Sequence, residues 1–340
     1  MNEIRTCPVM VAGAGSWGTA LALVLARNGH PVFLWDCLDS HLDRLIEERC
    51  NNHHLPGHAF PEKLTAVRRF TPLPAGVRHV LLATPCAGLT DVLRELQTLP
   101  DRDFNICLAC KGIEPDTLAL NHLLVEQYLP GVPVTVLSGP SFAREVAEGL
   151  PTAVTIASRD PAAAAGFSSL FHCEVFRTYT HDDVVGVQVG GAVKNVMAIA
   201  AGIADGLGYG ANTRAALMAR GLAEIMRLGQ ALGGRSDTFM GLTGVGDLVL
   251  TCTDDQSRNR RFGLALARGG TPEQALAEIG QAVEGLHTTR VVCALAGKHA
   301  VDMPISEQVL KVIDSKVTPR EAVHELLARE PKAEIMQGSE

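Results

Sequence analysis

Residues 7–18 read CPVMVAGAGSWG, an apolar run that ends in three glycines spaced G-x-G-x-x-G. The run has the length and composition of a buried strand, and a helical pattern over 19–27 follows the glycines. In that strand–turn–helix setting the spacing acquires a physical meaning. Gly13 permits the tight turn, Gly15 lets a pyrophosphate approach the backbone, and Gly18 lets the helix pack closely on the strand. The amides of Ser16 and Trp17 then face an anion at the positive end of the helix dipole. A plain glycine turn is the alternative reading.

Outward from this turn, strand-like runs recur at 31–35, 79–84, 105–110, 132–137, 152–157 and 174–180. Helical stretches lie between most of them, near 42–49, 86–98, 115–128, 141–149 and 160–171. The alternation predicts parallel pairing with right-handed crossovers. It stops near residue 180. Beyond it the pattern is helical over 182–205, 213–233, 258–268, 272–279, 284–298, 305–314 and 319–329. The expected fold class is therefore α/β: an N-terminal Rossmann-type doubly wound sheet over 1–180 and an all-helical C-terminal domain over 181–330. Residues 331–340 are expected to be a flexible polar tail. No Ser/Gly-rich linker separates the halves, so they should pack directly on each other.

Composition narrows the function. The 340 residues are 46% hydrophobic but only 4% aromatic, as suits parallel strands and packed helices. A net charge of −7 argues against general nucleic-acid binding, which needs a basic face. Nine cysteines without framework spacing and an N-terminus without a signal-peptide layout predict reduced thiols in the cytoplasm. Cys107 and Cys110 form a C-x-x-C, but on a strand over 105–110 they would point to opposite faces. His53, His54 and His58 share a Pro/Gly loop without a spacing-matched carboxylate or cysteine, so no metal is expected. The stretch 184–204 is long enough to span a bilayer, yet Lys194 sits at its centre. A buried helix between the halves, not membrane insertion, is the expectation.

Lysine is scarce, seven against 23 arginines, so a lysine in an apolar setting stands out. A dinucleotide that moves a hydride to a ketone also needs a proton donor at the carbonyl oxygen. Lys194 lies among Gly190, Gly191, Ala192, Val193, Val196 and Met197, where burial lowers an ammonium's pKa. The two glycines before it are expected to leave room for a substrate beside the ammonium. Lys111 leaves the strand at 105–110 just before Gly112. Asp247 follows the turn Gly244-Val-Gly and could pair with a lysine or merely cap a helix. Ser257 could cap the next helix, and with Arg258 would make a phosphate site. Asp36, near the end of the second strand, is expected to accept ribose hydroxyls. The stretch Asp36-Cys37-Leu38-Asp39 offers no base for a 2′-phosphate, which predicts a preference for NAD. These pieces suggest a small phosphorylated ketone or alcohol, a nicotinamide and two lysines.

Five ordered segments then carry a specific resemblance: GAGSWGTALA (13–22), CKGIE (110–114), LSGPSFARE (137–145), VGGAVKNVMAIAAGIADGLGYGANTRAALMARGL (189–222) and GLTGVGDLVLTCTDDQSRNRRFG (241–263). Through them nearly the whole chain resembles the bacterial NAD(P)-dependent glycerol-3-phosphate dehydrogenases. The resemblance implies interconversion of sn-glycerol 3-phosphate and dihydroxyacetone phosphate for glycerophospholipid synthesis. It implies that Lys194 exchanges the substrate proton and that Lys111 touches substrate and cofactor. Gly139, Ser141, Asp247, Ser257, Arg258 and Asn259 would complete the substrate site. Ser16, Trp17, Ala143, Arg258, Ala282 and Glu284 would contact the cofactor. Asp36 and Cys37 stand where some members carry a histidine or arginine, and Ala282 where valine is expected. A homodimer is plausible for such a family. Two other readings compete: a different two-domain hydroxy-acid dehydrogenase, and a dinucleotide sensor that does no chemistry.

Overall fold

A computed structural model describes residues 6–330; the tail expected over 331–340 lies outside them. The first half runs β1 (Val9–Ala12), α1 (Ser16–Arg27), β2 (Val32–Trp35), α2 (Asp39–Glu48), β3 (Cys50–Asn51), β4 (Leu55–Ala59) and β5 (Leu64–Ala66). It continues through β6 (His79–Leu82), α3 (Cys86–Gln97), β7 (Asn105–Leu108), α4 (Asn121–Tyr128), β8 (Val134–Ser138), α5 (Ala143–Glu148), β9 (Thr152–Ser158), α6 (Pro161–Phe171) and β10 (Phe176–His181). Eight strands form one sheet in the order β10-β9-β8-β7-β6-β1-β2-β5. Because β1 lies between β2 and β6, the chain winds outward in both directions from it. The glycine turn thus opens at the switch point, where α/β sheets leave a crevice for ligands. Separate apolar clusters cover the two faces, one around Leu21, Leu34 and Phe167, the other around Phe70, Leu93 and Ile106.

Several sequence expectations need correction. Within the eight-stranded sheet pairing is parallel except between β8 and β9, which run antiparallel with Val136 opposite Ala157. A β3–β4 antiparallel hairpin and the short β5 were missed, since the polar stretch Asn51–His54 lacks strand periodicity. The helix expected over 115–128 begins only at Asn121. β7 ends at Leu108, so Cys110 lies beyond the strand, although Cys107 and Cys110 do enter clusters on opposite faces.

The second half contains α7 (Val184–Gly206), α8 (Ala211–Ala231), α9 (Ser236–Phe239), a π turn over Leu242–Gly246, α10 (Asp247–Thr253), α11 (Arg258–Ala267), α12 (Pro272–Ile279), α13 (Glu284–Lys298), α14 (Pro304–Ile313) and α15 (Pro319–Leu327). α7 has the length and hydropathy to cross a bilayer, but its apolar window is wholly buried inside the protein. It forms the centre of the helical half.

Small residues let α11 approach α7 backbone to backbone. A Cβ at Gly202 would lie 2.1 Å from the carbonyl oxygen of Arg260, and one at Gly263 2.1 Å from that of Ile199. Gly202→Ala must therefore push the helices apart, and about 3 kcal/mol of lost stability is expected. Gly297→Ala, in open space near the end of α13, should instead raise stability by up to about 1 kcal/mol. Thermal denaturation of the two variants measures the contrast.

Candidate active site

The turn after β1 has the shape its sequence requires. Gly13 adopts φ +104°, and a Cβ there would lie 2.7 Å from the backbone of Ala83 and Thr84. A Cβ at Gly18 would fall 1.9 Å from the carbonyl oxygen of Gly13, so α1 sits directly on the turn. Around Gly15 there is open space. The first amides of α1 lack intrahelical partners and belong to Ser16 and Trp17, which line the adjoining cleft. A backbone cradle backed by protein and open in front fits the pyrophosphate of a dinucleotide.

That cleft, of about 880 Å³, lies between the sheet's carboxyl end and the helical half. Its walls include Ser16, Trp17, Lys111, Ser141, Ala143, Lys194, Asp247, Ser257, Arg258, Asn259 and Glu284. Residues singled out from Ser16 to Glu284 thus share one cavity. Gly13, Gly15, Gly18, Gly139, Asp36, Cys37 and Ala282 do not line it. Asp36 gives one carboxylate oxygen to the Ala14 amide at 2.9 Å and the other to the Leu38 amide at 3.1 Å. Its observed work is to brace the glycine turn against the end of β2. Cys37 and Ala282 are exposed and lie outside the cleft wall.

Asp247 organises the two lysines. Fully buried as the first residue of α10, it accepts from Lys194 Nζ at 2.5 Å and from Lys111 Nζ at 3.0 Å, one lysine on each oxygen. It closes the π turn as its C-terminal cap and also pairs with both lysines. Thr251, one turn later, accepts from Lys194 Nζ at 3.1 Å. Reading 247–253 as helix would have revealed this i,i+4 pair. Lys111 also donates to the Gly139 carbonyl at 2.8 Å and approaches Ser141 Oγ at 3.4 Å. Its ammonium stands 5.7 Å from the centre of the Trp17 ring, whose Nε1 donates to the Ala109 carbonyl. The glycine turn and the lysine loop are therefore tied together.

Burial is the largest influence on Lys194 and lowers its pKa to about 8; Asp247 pulls it up and Lys111 pushes it down. Glu284, at the start of α13, is raised by desolvation against the opposing pull of Arg258, Lys194 and Lys111. The glycines before Lys194 do not leave room for substrate as expected. A Cβ at Gly190 would meet the Thr243 carbonyl at 2.7 Å, and one at Gly191 would meet Ser138 Oγ at 2.7 Å. They bring α7 against the π turn and the end of β8, which carries Lys194 to the cleft.

A side-chain relay fixes the remaining wall. Asn259 donates to Asn195 Oδ1 at 2.9 Å and accepts the Gly285 amide at 2.9 Å, while Asn195 reaches the Lys111 carbonyl at 3.4 Å. Ser257 caps α11 by accepting the Arg260 amide. The side chain of Arg258 is left facing the cleft. His54 and His58, from the missed hairpin, also line the cleft. Among the described residues no group of His, Cys, Asp and Glu side chains could hold a metal ion.

The fold and its glycine cradle define a two-part dinucleotide-dependent dehydrogenase. The family model for the NAD-dependent glycerol-3-phosphate dehydrogenase N-terminus matches residues 8–164, and that for its C-terminus matches 183–324. The chain belongs to this family. It is 49% identical over 334 residues to a glycerol-3-phosphate dehydrogenase [NAD(P)+] of Nitrosococcus oceani, covering 98% of this chain and 97% of the relative. An Actinobacillus pleuropneumoniae enzyme of the same name is 47% identical, over 98% and 100% of the two chains. The crystal structure of a Coxiella burnetii glycerol-3-phosphate dehydrogenase superposes with a TM-score of 0.93 at 46% identity, over 95% and 99% of the two chains.

Proposed function

We propose that this protein interconverts dihydroxyacetone phosphate and sn-glycerol 3-phosphate with a nicotinamide dinucleotide, and so supplies a precursor of glycerophospholipids. The observation that supports the reading most is the Lys111–Asp247–Lys194 triad at the bottom of a cleft bordered by a dinucleotide cradle. The bound nicotinamide supplies the hydride for reduction at C2, or receives it in oxidation.

The protein's own residues handle charge and orientation. Arg258, with the amides at the start of α11, holds the phosphate and sets the distance of C2 from Lys194. As the carbonyl oxygen gathers negative charge, the Lys194 ammonium donates a proton to it and Lys111 adds a second positive charge nearby. In oxidation neutral Lys194 accepts the hydroxyl proton. A pKa near 8 keeps both forms of Lys194 accessible around neutral pH. Asp247 holds the two lysines apart and in register.

We also propose that NAD is preferred over NADP. Asp36 places a carboxylate beside the turn at the end of β2, where a 2′-phosphate would meet like charge. A kcat/KM higher with NADPH than with NADH would contradict this. The phosphate assignment is tested by Arg258→Ala. Losing a charge-assisted contact of about 1.5–3 kcal/mol should raise KM for dihydroxyacetone phosphate by about 10- to 100-fold. The much weaker reduction of dihydroxyacetone should change little. Equal effects on both ketones would remove Arg258 from the phosphate site.

A further inference from the structure

Beside the lysine loop lie two thiols that the proposed reaction does not use. Cys86 opens α3 after β6, and Cys110 follows β7 immediately before Lys111. The neighbouring strands β6 and β7 bring them together. Asn121 Nδ2 lies 3.5 Å from Cys86 Sγ and 3.3 Å from Cys110 Sγ, so one amide touches both sulfurs. A Cβ at Gly112 would lie 2.5 Å from Cys86 Sγ, which places that sulfur against the loop carrying Lys111. All nine cysteines are free, Cys86 is half-buried and Cys110 is almost wholly buried but borders the cleft.

We propose that Cys86 and Cys110 are a reversible dithiol–disulfide couple whose closure disables the site by displacing Lys111. The oxidant is a small disulfide, RS–SR. Cys86, half-buried in the first turn of α3 and the more accessible of the two, loses its proton, attacks one sulfur and releases RS⁻. Cys110 loses its proton and attacks the Cys86 sulfur of the mixed disulfide, releasing the second RS⁻. Two protons from the protein thiols convert these to RSH; the protein is oxidised by two electrons and RS–SR is reduced. The hydrogen bond with Cys86, and after it burial, raise the Cys110 thiol well above its usual value, so the second step is the slow one. The new bond pulls residue 110 towards α3. Lys111, the next residue, then loses its alignment with Asp247, Gly139 and the Trp17 ring.

The test exposes the purified protein to oxidised glutathione, followed by peptide mapping without reduction and by the dihydroxyacetone phosphate assay. The expected result is a Cys86–Cys110 linked peptide and a fall in kcat of about tenfold or more, both reversed by dithiothreitol. Cys86→Ser and Cys86→Ala should keep the unoxidised activity and resist the fall. Absence of the linked peptide while exposed Cys37 is modified overturns the couple. A linked peptide without loss of activity overturns its control of the site, as does equal inactivation of the Cys86 variants. The linkage is read by mass alone, so it stands or falls separately from the substrate assignment.

Discussion

Lys194→Ala is expected to lower kcat for dihydroxyacetone phosphate reduction by about 10²- to 10⁴-fold, the usual contribution of a positioned general acid. The dissociation constant for NADH should change little. Trp17, Ser16 and the glycine turn belong to a different half of the protein and do not hydrogen-bond Lys194. Removing the ammonium leaves Asp247 with Lys111 as its remaining cation, so no buried carboxylate is stranded. Lys194→Met, which keeps much of the stem's volume, separates lost proton transfer from lost packing. Thermal denaturation of both variants identifies any loss caused by unfolding. Near-normal kcat in a folded variant would remove Lys194 from the proposed chemistry.

Asp247→Asn acts on both lysines at once. The substitution preserves the shape of the side chain but leaves two ammonium groups competing for a neutral amide in a buried site. Breaking one partner out of a buried ion pair costs about 3–5 kcal/mol. The variant should accordingly melt earlier. Its kinetics carry the sharper signature. Asp247 is the main influence that opposes the lowering of the Lys194 pKa by burial. Without its charge that pKa falls below about 8. Reduction needs the protonated lysine, so the wild-type rate should decline as pH rises through about 8, and the variant's decline should come about 1–3 units lower. Oxidation needs neutral lysine, so its rising limb should move in the same direction. An unshifted pH profile would show that Asp247 does not tune Lys194.

The parts legible in the sequence were those with a local physical cause. The turn Gly13–Gly18 follows from one strand, one helix and the missing side chains at Gly13 and Gly18 where they meet. Lys194 stood out because an ammonium in a run of Gly, Ala and Val demands a partner. The partner was less legible: Asp247 is 53 residues away, and the glycine turn before it hid the first residue of α10. Asp36 has a second, structural role that the sequence did not show. Its position near the end of β2 suggests a ligand contact, while the bond it accepts from the Ala14 amide became visible only in the fold. Gly190 and Gly191 were misread. Missing side chains can make space for a ligand or for another backbone, and only the tertiary contacts with Thr243 and Ser138 decide which. The β3–β4 hairpin escaped because β3 is only two residues long and the mostly exposed, proline-containing β4 buries too little to show period-two patterning.

The most direct test of the account is a steady-state assay of the purified protein with dihydroxyacetone phosphate, following the absorbance of the reduced nicotinamide and identifying the product. The account predicts NADH oxidation with stoichiometric formation of sn-glycerol 3-phosphate, and far lower kcat/KM for unphosphorylated dihydroxyacetone. Binding of NADH without turnover of the phosphorylated ketone, under conditions where the protein is folded and its thiols reduced, would contradict it.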